Sequence, residues 1–287
     1  MSSRVRRRMD VPSRGYLSGM TSPTKTPPLA LVTGASTGIG RALAEEFVNH
    51  GFDVVITADE PGIREAAAEL AASGRSVVPV QVDLTTPEGV EALYAEVRAQ
   101  GRAPVAAALN AGIGVNGRFD QTPLEADLAL VDLNVRSTVH LAKLVTRDMV
   151  ANGEGRLLIT SSIAAVAPGA YHATYAASKA FVHSFAQGIR EELKDTGVSV
   201  TSLMPGPTET EFFARADMGD TRIGQMEGKD DPREVAKDGY EGLMAGMASV
   251  VAGSFRNRIQ AELGTHLPDA LATPLLARMT KPQDEET

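Results

Sequence analysis

Between Leu29 and Leu203, short apolar runs alternate with segments of helical period, and that alternation limits what the chain can fold into. The runs are Leu29–Val32, Val54–Thr57, Val77–Val82, Val105–Leu109, Arg156–Thr160 and Val198–Leu203. Each has the length of a strand. Helical spacing falls between them, over Ile39–His50, Glu65–Ser73, Pro87 to about Gln100, Leu124–Val150 and Tyr175–Lys194. Gly51, Gly74, Gly101 and Gly197 punctuate the ends, as glycine does where a helix must stop. Strands alternating with helices of this size predict βαβ units with right-handed crossovers. The expected fold class is α/β, a doubly wound parallel sheet with helices on both faces. A helix over about Arg233–Met247 and a run at Ser249–Ala252 bring the expected strands to about seven.

The segments outside this alternation differ in character. Residues 208–231 are polar and glycine-bearing without clear period, and predict a mobile lid. Residues 255–280 predict one or two amphipathic helices around Pro268 and Pro274, a C-terminal helical extension. The preferred reading has that extension covering the substrate cleft or joining an oligomer. Membrane contact, with Arg256, Arg258 and Arg278 flanking the apolar positions, is the less favoured one. Residues 1–28 carry six basic side chains against Asp10 alone, with many Ser, Thr and Pro and no apolar run. They read as a disordered basic extension, or as translation begun upstream of Met9 or Met20; Pro12 and Gly15 break the amphipathic helix of a transit peptide. Residues 281–287 form an acidic tail. The expected catalytic unit is therefore residues 29–254.

The chain has 287 residues and a net charge of −8. A general nucleic-acid binder needs a basic face, so that class is set aside. There are no cysteines, which removes disulfides, thiol chemistry and Cys-based zinc sites. Reducing surroundings fit, and the expected location is cytoplasmic. No stretch is long and apolar enough to predict a membrane span.

Gly34, Ser36, Thr37, Gly38, Ile39 and Gly40 follow the first strand and open the first helix. Glycines there allow a tight turn and close backbone approach to a diphosphate, while the helix N-terminus offers free N–H groups. A dinucleotide is the expected ligand. An acid about 20 residues further on usually holds the adenine ribose and disfavours a 2′-phosphate. Asp59 is 19 residues past Gly40, in Thr57-Ala58-Asp59-Glu60. NAD(H) is therefore the favoured cofactor, with NADP(H) left open; Arg41 and Arg64 are the nearby cations in sequence.

Tyr175 and Lys179 are four apart on a helix and share one face. A phenol with a reference pKa of about 10 is a poor acid–base group near neutral pH. An ammonium beside it favours the phenolate. Such a tyrosine can exchange a proton with an alcohol or carbonyl oxygen while a cofactor moves a hydride. Ser162, 13 residues upstream, can hold the same oxygen. Alone, the pair reads as a solvated helix face and the serine as a cap; order and context single them out.

Together these residues resemble the short-chain dehydrogenase/reductase family in its compact form, over about Leu29–Val251. The family's TGxxxGxG stands as Thr33 to Gly40, and YxASK is intact at Tyr175 to Lys179. The resemblance implies a Rossmann-type fold and assigns further positions. Asp83 and Leu84 would meet the adenine, and Asn110, Ala111 and Gly112 match the NAG element. Pro205, Gly206 and Thr208 match the segment that contacts the nicotinamide amide. Asn134 matches the helix asparagine that holds a water relaying protons to Lys179. Ser162 matches the family's catalytic serine, with Ser161 as the lesser candidate. Tyr175 would be the general acid/base and Lys179 would also bind the nicotinamide ribose. In NAD-preferring relatives the ribose acid commonly sits one position earlier, where this chain has Ala58. The resemblance also implies a homodimer or homotetramer through the long helices.

The expected activity is oxidation of a secondary alcohol to a ketone or the reverse. Apolar residues after Ser162, in Gly112–Phe119 and in Thr210–Met226 point to a small hydrophobic alcohol or carbonyl substrate. His172 reads as a surface or capping residue, with reach into the site as the alternative. No metal site is expected. The competing reading, from another class, is a catalytically silent nucleotide sensor or scaffold on the same fold.

Overall fold

The computed structural model describes residues 26–253 and 269–282. Seven parallel strands form one sheet in the order β3-β2-β1-β4-β5-β6-β7. They are β1 (Leu29–Thr33), β2 (Asp53–Ala58), β3 (Val77–Gln81), β4 (Ala106–Leu109), β5 (Gly155–Thr160), β6 (Val198–Pro205) and β7 (Ser249–Ala252). The expected strands are all present, with ends moved by one or two residues. Pro79 is tolerated because β3 is an edge strand, where a missing N–H costs no ladder bond.

β1 is buried along its whole length because helices cover both faces of the sheet. Alternate residues feed two cores. Ala30, Val32, Val54 and Ile56 pack with α1 (Gly38–Asn49), α2 (Ile63–Ala71) and α8 (Pro232–Met244). Leu29, Leu31 and Val55 face α3 (Pro87–Ala99), α5 (Thr138–Asn152) and α6 (Ala173–Leu193). Phe47 centres the first core, with its ring 5.2 Å from Phe52 and 5.4 Å from Tyr240. Such edge-on pairs add to the area they bury.

The segment Leu124–Val150, expected as one regular helix, is more elaborate. It runs as α4 (Leu124–Val131), a π turn over Asp132–Ser137, and α5. A π turn widens the helix and disturbs its carbonyl pairing. Here the hydroxyls of Ser137 and Thr138 donate to the carbonyls of Leu133 and Asn134. Periodicity alone does not reveal this widening.

The expected lid has internal structure. It contains the short helix α7 (Phe212–Arg215) and a bridge pairing Thr208 with Asp230. Ala216, Met218 and Thr221 are buried. In the C-terminal extension, α9 (Asp269–Thr280) forms with Pro274 inside it. The expectations for residues 1–25, 254–268 and 283–287 lie outside the described residues.

Candidate active site

The strand order reverses direction between β1 and β4, and a cleft of about 960 Å³ opens beyond the C-terminal ends of the strands. Doubly wound sheets place ligands at this switch point. Gly34 has φ 65°, and a Cβ there would stand 2.9 Å from the Ala111 Cα. A Cβ on Gly40 would stand 1.9 Å from the Gly34 carbonyl oxygen. The loop therefore needs glycine at both positions. Thr37 caps α1 without a side-chain hydrogen bond, so the first N–H groups of the helix stay available to an anion. Ser36, Thr37, Gly38 and Ile39 line the cleft.

Asn110 ties three strand ends together. Its backbone N–H donates to Thr33 Oγ1 at 2.9 Å, its Nδ2 to the Thr33 carbonyl at 3.2 Å, and its Oδ1 accepts from Thr160 Oγ1 at 3.1 Å. Ala111 N–H joins Thr33 Oγ1 at 3.0 Å. Thr33 and Thr160 are both buried; Thr33 opens the TGxxxGxG motif but was given no role in the sequence, and for Thr160 a polar residue ending an apolar strand was the available signal. Asp83 accepts from the Thr85 backbone and hydroxyl, and Leu84 is buried beside it, both lining the cleft. Pro205, Gly206 and Thr208 line the opposite wall, with Thr208 Oγ1 donating to the Gly206 carbonyl at 2.9 Å.

The reactive-residue candidates converge on the same cleft. Ser162, Tyr175 and Lys179 all line it. Ser162 Oγ accepts from Ala164 N–H at 3.1 Å, capping a 3-10 turn over Ile163–Val166. Ser162 also lines the cleft beside Tyr175, and its hydroxyl favours the ionised form of that phenol; the capping bond therefore does not take it out of the cleft. Ser161 is committed elsewhere, donating to the Lys179 carbonyl at 2.8 Å in a buried position. Lys179 is 5% exposed; its Nζ donates to the Thr160 carbonyl at 3.0 Å and lies 5.7 Å from the Tyr175 ring centroid. Burial pulls the Lys179 pKa down to about 8. Burial pushes the Tyr175 phenol up to about 12, against a lowering from Ser162. In the protein alone desolvation is the largest influence on this phenol, and it works against the lowering expected from Lys179.

Asn134 sits in the π turn. Its Oδ1 accepts from Ile113 N–H at 2.9 Å, and its Nδ2 donates to the Ile113 carbonyl at 2.9 Å and Ser178 Oγ at 3.0 Å. It thus straps the Gly112–Gly114 strip to α6. A Cβ on Gly112 would stand 3.0 Å from Asn134 Oδ1 and 3.1 Å from Lys179 Nζ.

At the other end of the cleft Asp59 is an exposed lining residue. Glu60 makes the direct link to the glycine loop: Ser36 Oγ donates to its Oε1 at 2.6 Å. That hydrogen bond, with Arg215 beside it, holds the Glu60 carboxyl below its ordinary pKa. Arg215 reaches from α7 to Glu60 at 3.2 Å and also pairs with Glu211. Arg41 and Arg64 were the cations expected near this end; Arg215 joins them from 155 residues away. Arg41 is paired with Glu69 at 3.0 Å and Arg64 is exposed.

The substrate side is apolar. Val166, Phe212, Met218 and Ile223 line it, with Met279 and Thr280 of α9. Phe119 is 72% exposed and lies outside the lining. His172 is half-buried and lines the cleft; it holds the N-cap position of α6, but its side chain makes no capping bond. Among the described residues no group of three or more His, Cys, Asp or Glu could hold a metal, and no helix is long and apolar enough to cross a membrane.

A short chain dehydrogenase family model matches residues 28–220. A probable oxidoreductase EphD from Mycobacterium tuberculosis is 36% identical over 188 residues, covering 65% of this chain; the chain spans only 32% of that protein. An uncharacterized oxidoreductase from Staphylococcus saprophyticus is 32% identical over 73% of this chain and 88% of its own length. Among solved structures, a short-chain dehydrogenase from Sphingobium yanoikuyae in complex with NADPH superposes with a TM-score of 0.73 at 30% identity, covering 86% of this chain and 98% of that one. With the glycine cradle, the switch-point cleft and the Tyr-Lys helix in place, these matches show that the chain belongs to the short chain dehydrogenase family.

Proposed function

We propose that the protein is an oxidoreductase that interconverts a secondary alcohol and a ketone using a nicotinamide cofactor, with Tyr175 as general acid/base. The observation that carries this reading is the meeting of Tyr175, Ser162 and buried Lys179 in one cleft beside the glycine cradle. The residues fit a dinucleotide: the open first turn of α1 suits a diphosphate, and Gly112 leaves room beside Lys179. Asp83 and Leu84 would border the adenine, Asn110, Ala111 and Gly112 the nicotinamide-side ribose, and Pro205, Gly206 and Thr208 the nicotinamide amide. When bound, the cofactor supplies or takes the hydride.

The chain's own groups handle the proton. Ser162 orients the substrate oxygen, and Tyr175 gives or accepts the proton at that oxygen. Lys179 stabilises the phenolate as it forms, since its charge is held within reach of the ring. Asn134 Oδ1 keeps a second lone pair, through which a water can link Lys179 to solvent. The catalytic unit in this reading is residues 29–254, with α9 closing the substrate end.

NAD(H) is the preferred cofactor. Asp59 and an ionised Glu60 stand at the ribose end, and the Arg215 charge is offset by Glu60 and Glu211. A 2′-phosphate would meet net negative charge there. The substrate is a carbonyl compound or alcohol with an apolar body, matched to the apolar wall. A homo-oligomer through α4 and α6 is supported by exposed Leu124, Leu128 and Phe181.

Titration with NADH and, separately, NADPH, following nicotinamide fluorescence, tests the cofactor reading. NADH is expected to bind more tightly. Tighter NADPH binding overturns the preference, and binding of neither overturns the oxidoreductase assignment.

A further inference from the structure

His172 remains outside the proton chemistry assigned so far. It stands three residues before Tyr175, at the entrance to α6. Its ring meets the Tyr175 ring edge-on, with centroids 6.1 Å apart and planes at 88°. Its Nδ1 is buried and has no hydrogen-bond partner among the described residues. Buried polar atoms are nearly always paired, and the residue that carries this unpaired one lines the ligand cleft, which points to a partner that arrives with the ligand.

The backbone holds this ring in place. Tyr171 has φ 62°, in the left-handed region that a bulky residue rarely adopts. Two bonds clamp the segment: Gly117 N–H donates to the Tyr171 carbonyl at 2.7 Å, and Thr280 Oγ1 to the Ala170 carbonyl at 2.8 Å. Gly169 supplies the space for the ring, since a Cβ there would stand 2.3 Å from His172 Cδ2. Unusual backbone of this kind persists where surrounding structure enforces it, and it concentrates at ligand sites. Burial holds the imidazole pKa near 4, so the ring is neutral around pH 7 and offers one donor and one acceptor.

We infer that His172 is a specificity-determining residue whose ring hydrogen-bonds a second polar group of the substrate, one or two carbons from the reacting carbonyl. The inference rests on the oxidoreductase reading above. The closeness of the His172 and Tyr175 rings sets the spacing: a group further along the substrate would pass the imidazole. The substrate class is then a hydroxyketone or the matching diol, with its apolar remainder against Val166, Met218 and Met279. A site that hydrogen-bonds a substrate hydroxyl rejects an analogue lacking it, because its own buried polar group is left unpaired.

The test uses the full chain with NADH and two ketone pairs: acetophenone with 2-hydroxyacetophenone, and 2-butanone with 4-hydroxy-2-butanone. Ketone binding is read by change in nicotinamide fluorescence and turnover by NADH absorbance. The unaltered protein is expected to favour the hydroxylated member of at least one pair by about tenfold or more, the scale of one hydrogen bond. His172→Phe is expected to bring that ratio close to one, with the loss falling on the hydroxylated member. His172→Leu serves where the larger ring does not fit against Gly169, and NADH binding reports that each variant is folded. No preference in the unaltered protein, or a preference that survives both substitutions, overturns the inference. Failure of the oxidoreductase reading looks different: hydroxyl preference would appear in binding while no ketone consumed NADH.

Discussion

The buried ammonium of Lys179 donates to the backbone carbonyl of Thr160 at 3.0 Å, so the end of β5 and the second turn of α6 share one anchor. Thr160 in turn donates to Asn110, which holds the end of β1. The proton-handling group and the cofactor cradle are therefore parts of one network. Lys179→Ala is expected to weaken cofactor binding and turnover together. Tyr175→Phe removes only the hydroxyl and is expected to cut turnover by about 100-fold or more, the usual scale of general acid–base catalysis, with cofactor affinity largely kept. Steady-state kinetics beside fluorescence titration of both variants checks the contrast; unchanged turnover in Tyr175→Phe would remove it as the acid.

Cofactor preference is expected to respond to Glu60. Glu60→Gln removes a charge that pairs with Arg215 and accepts from Ser36. Arg215 then faces the ribose end less encumbered. The ratio of NADPH to NADH affinity should rise about tenfold, equivalent to about 1.4 kcal/mol. Titration of the variant with both cofactors measures it, and an unmoved ratio would place the selection elsewhere.

Stability should fall in mild acid through His172. Its folded pKa of about 4 lies below the ordinary 6.5 because burial disfavours the charged ring. Between those values the unfolded chain binds a proton that the folded one does not, so stability drops as pH falls from 6.5 toward 4. The loss between pH 7 and pH 5 is about 1–2 kcal/mol. Urea unfolding at the two pH values measures it, and His172→Phe should flatten that part of the profile.

The core on the far face from the Tyr-Lys helix offers a control. Phe47 is fully buried and contacts Phe52 and Tyr240. Phe47→Ala should cost about 3–5 kcal/mol through lost transfer energy and a cavity. Chemical denaturation reads the loss; the ratio of NADPH to NADH affinity in the folded protein should stay where it is.

The alternation of strands and helices was readable because both periods are local, and the seven strands stand where the apolar runs place them. The glycine loop and the Tyr175–Lys179 pair were readable for the same reason, since a few residues of spacing fix their geometry. Glu60 and Arg215 were not, because 155 residues separate them and only the folded lid brings them together. Thr160 was hidden at the end of a run that read simply as apolar, and Thr33 stood in the glycine motif with nothing local to show that its hydroxyl would tie down Asn110 and Ala111. The Tyr175 pKa also escaped the sequence: the ammonium was visible four residues away, but the depth of burial that raises the phenol was not.

The π turn at Asp132–Ser137 fixes the count of residues in this helical segment, not only their kind. A regular α-helix advances about 100° per residue, so removing one residue upstream of Asn134 would swing α4 around its own axis while α5 stayed docked. Leu124 and Leu128 would then face a new direction relative to α6. Loss of a single codon here would therefore reshape an outer surface of the protein as surely as it disturbed the cleft.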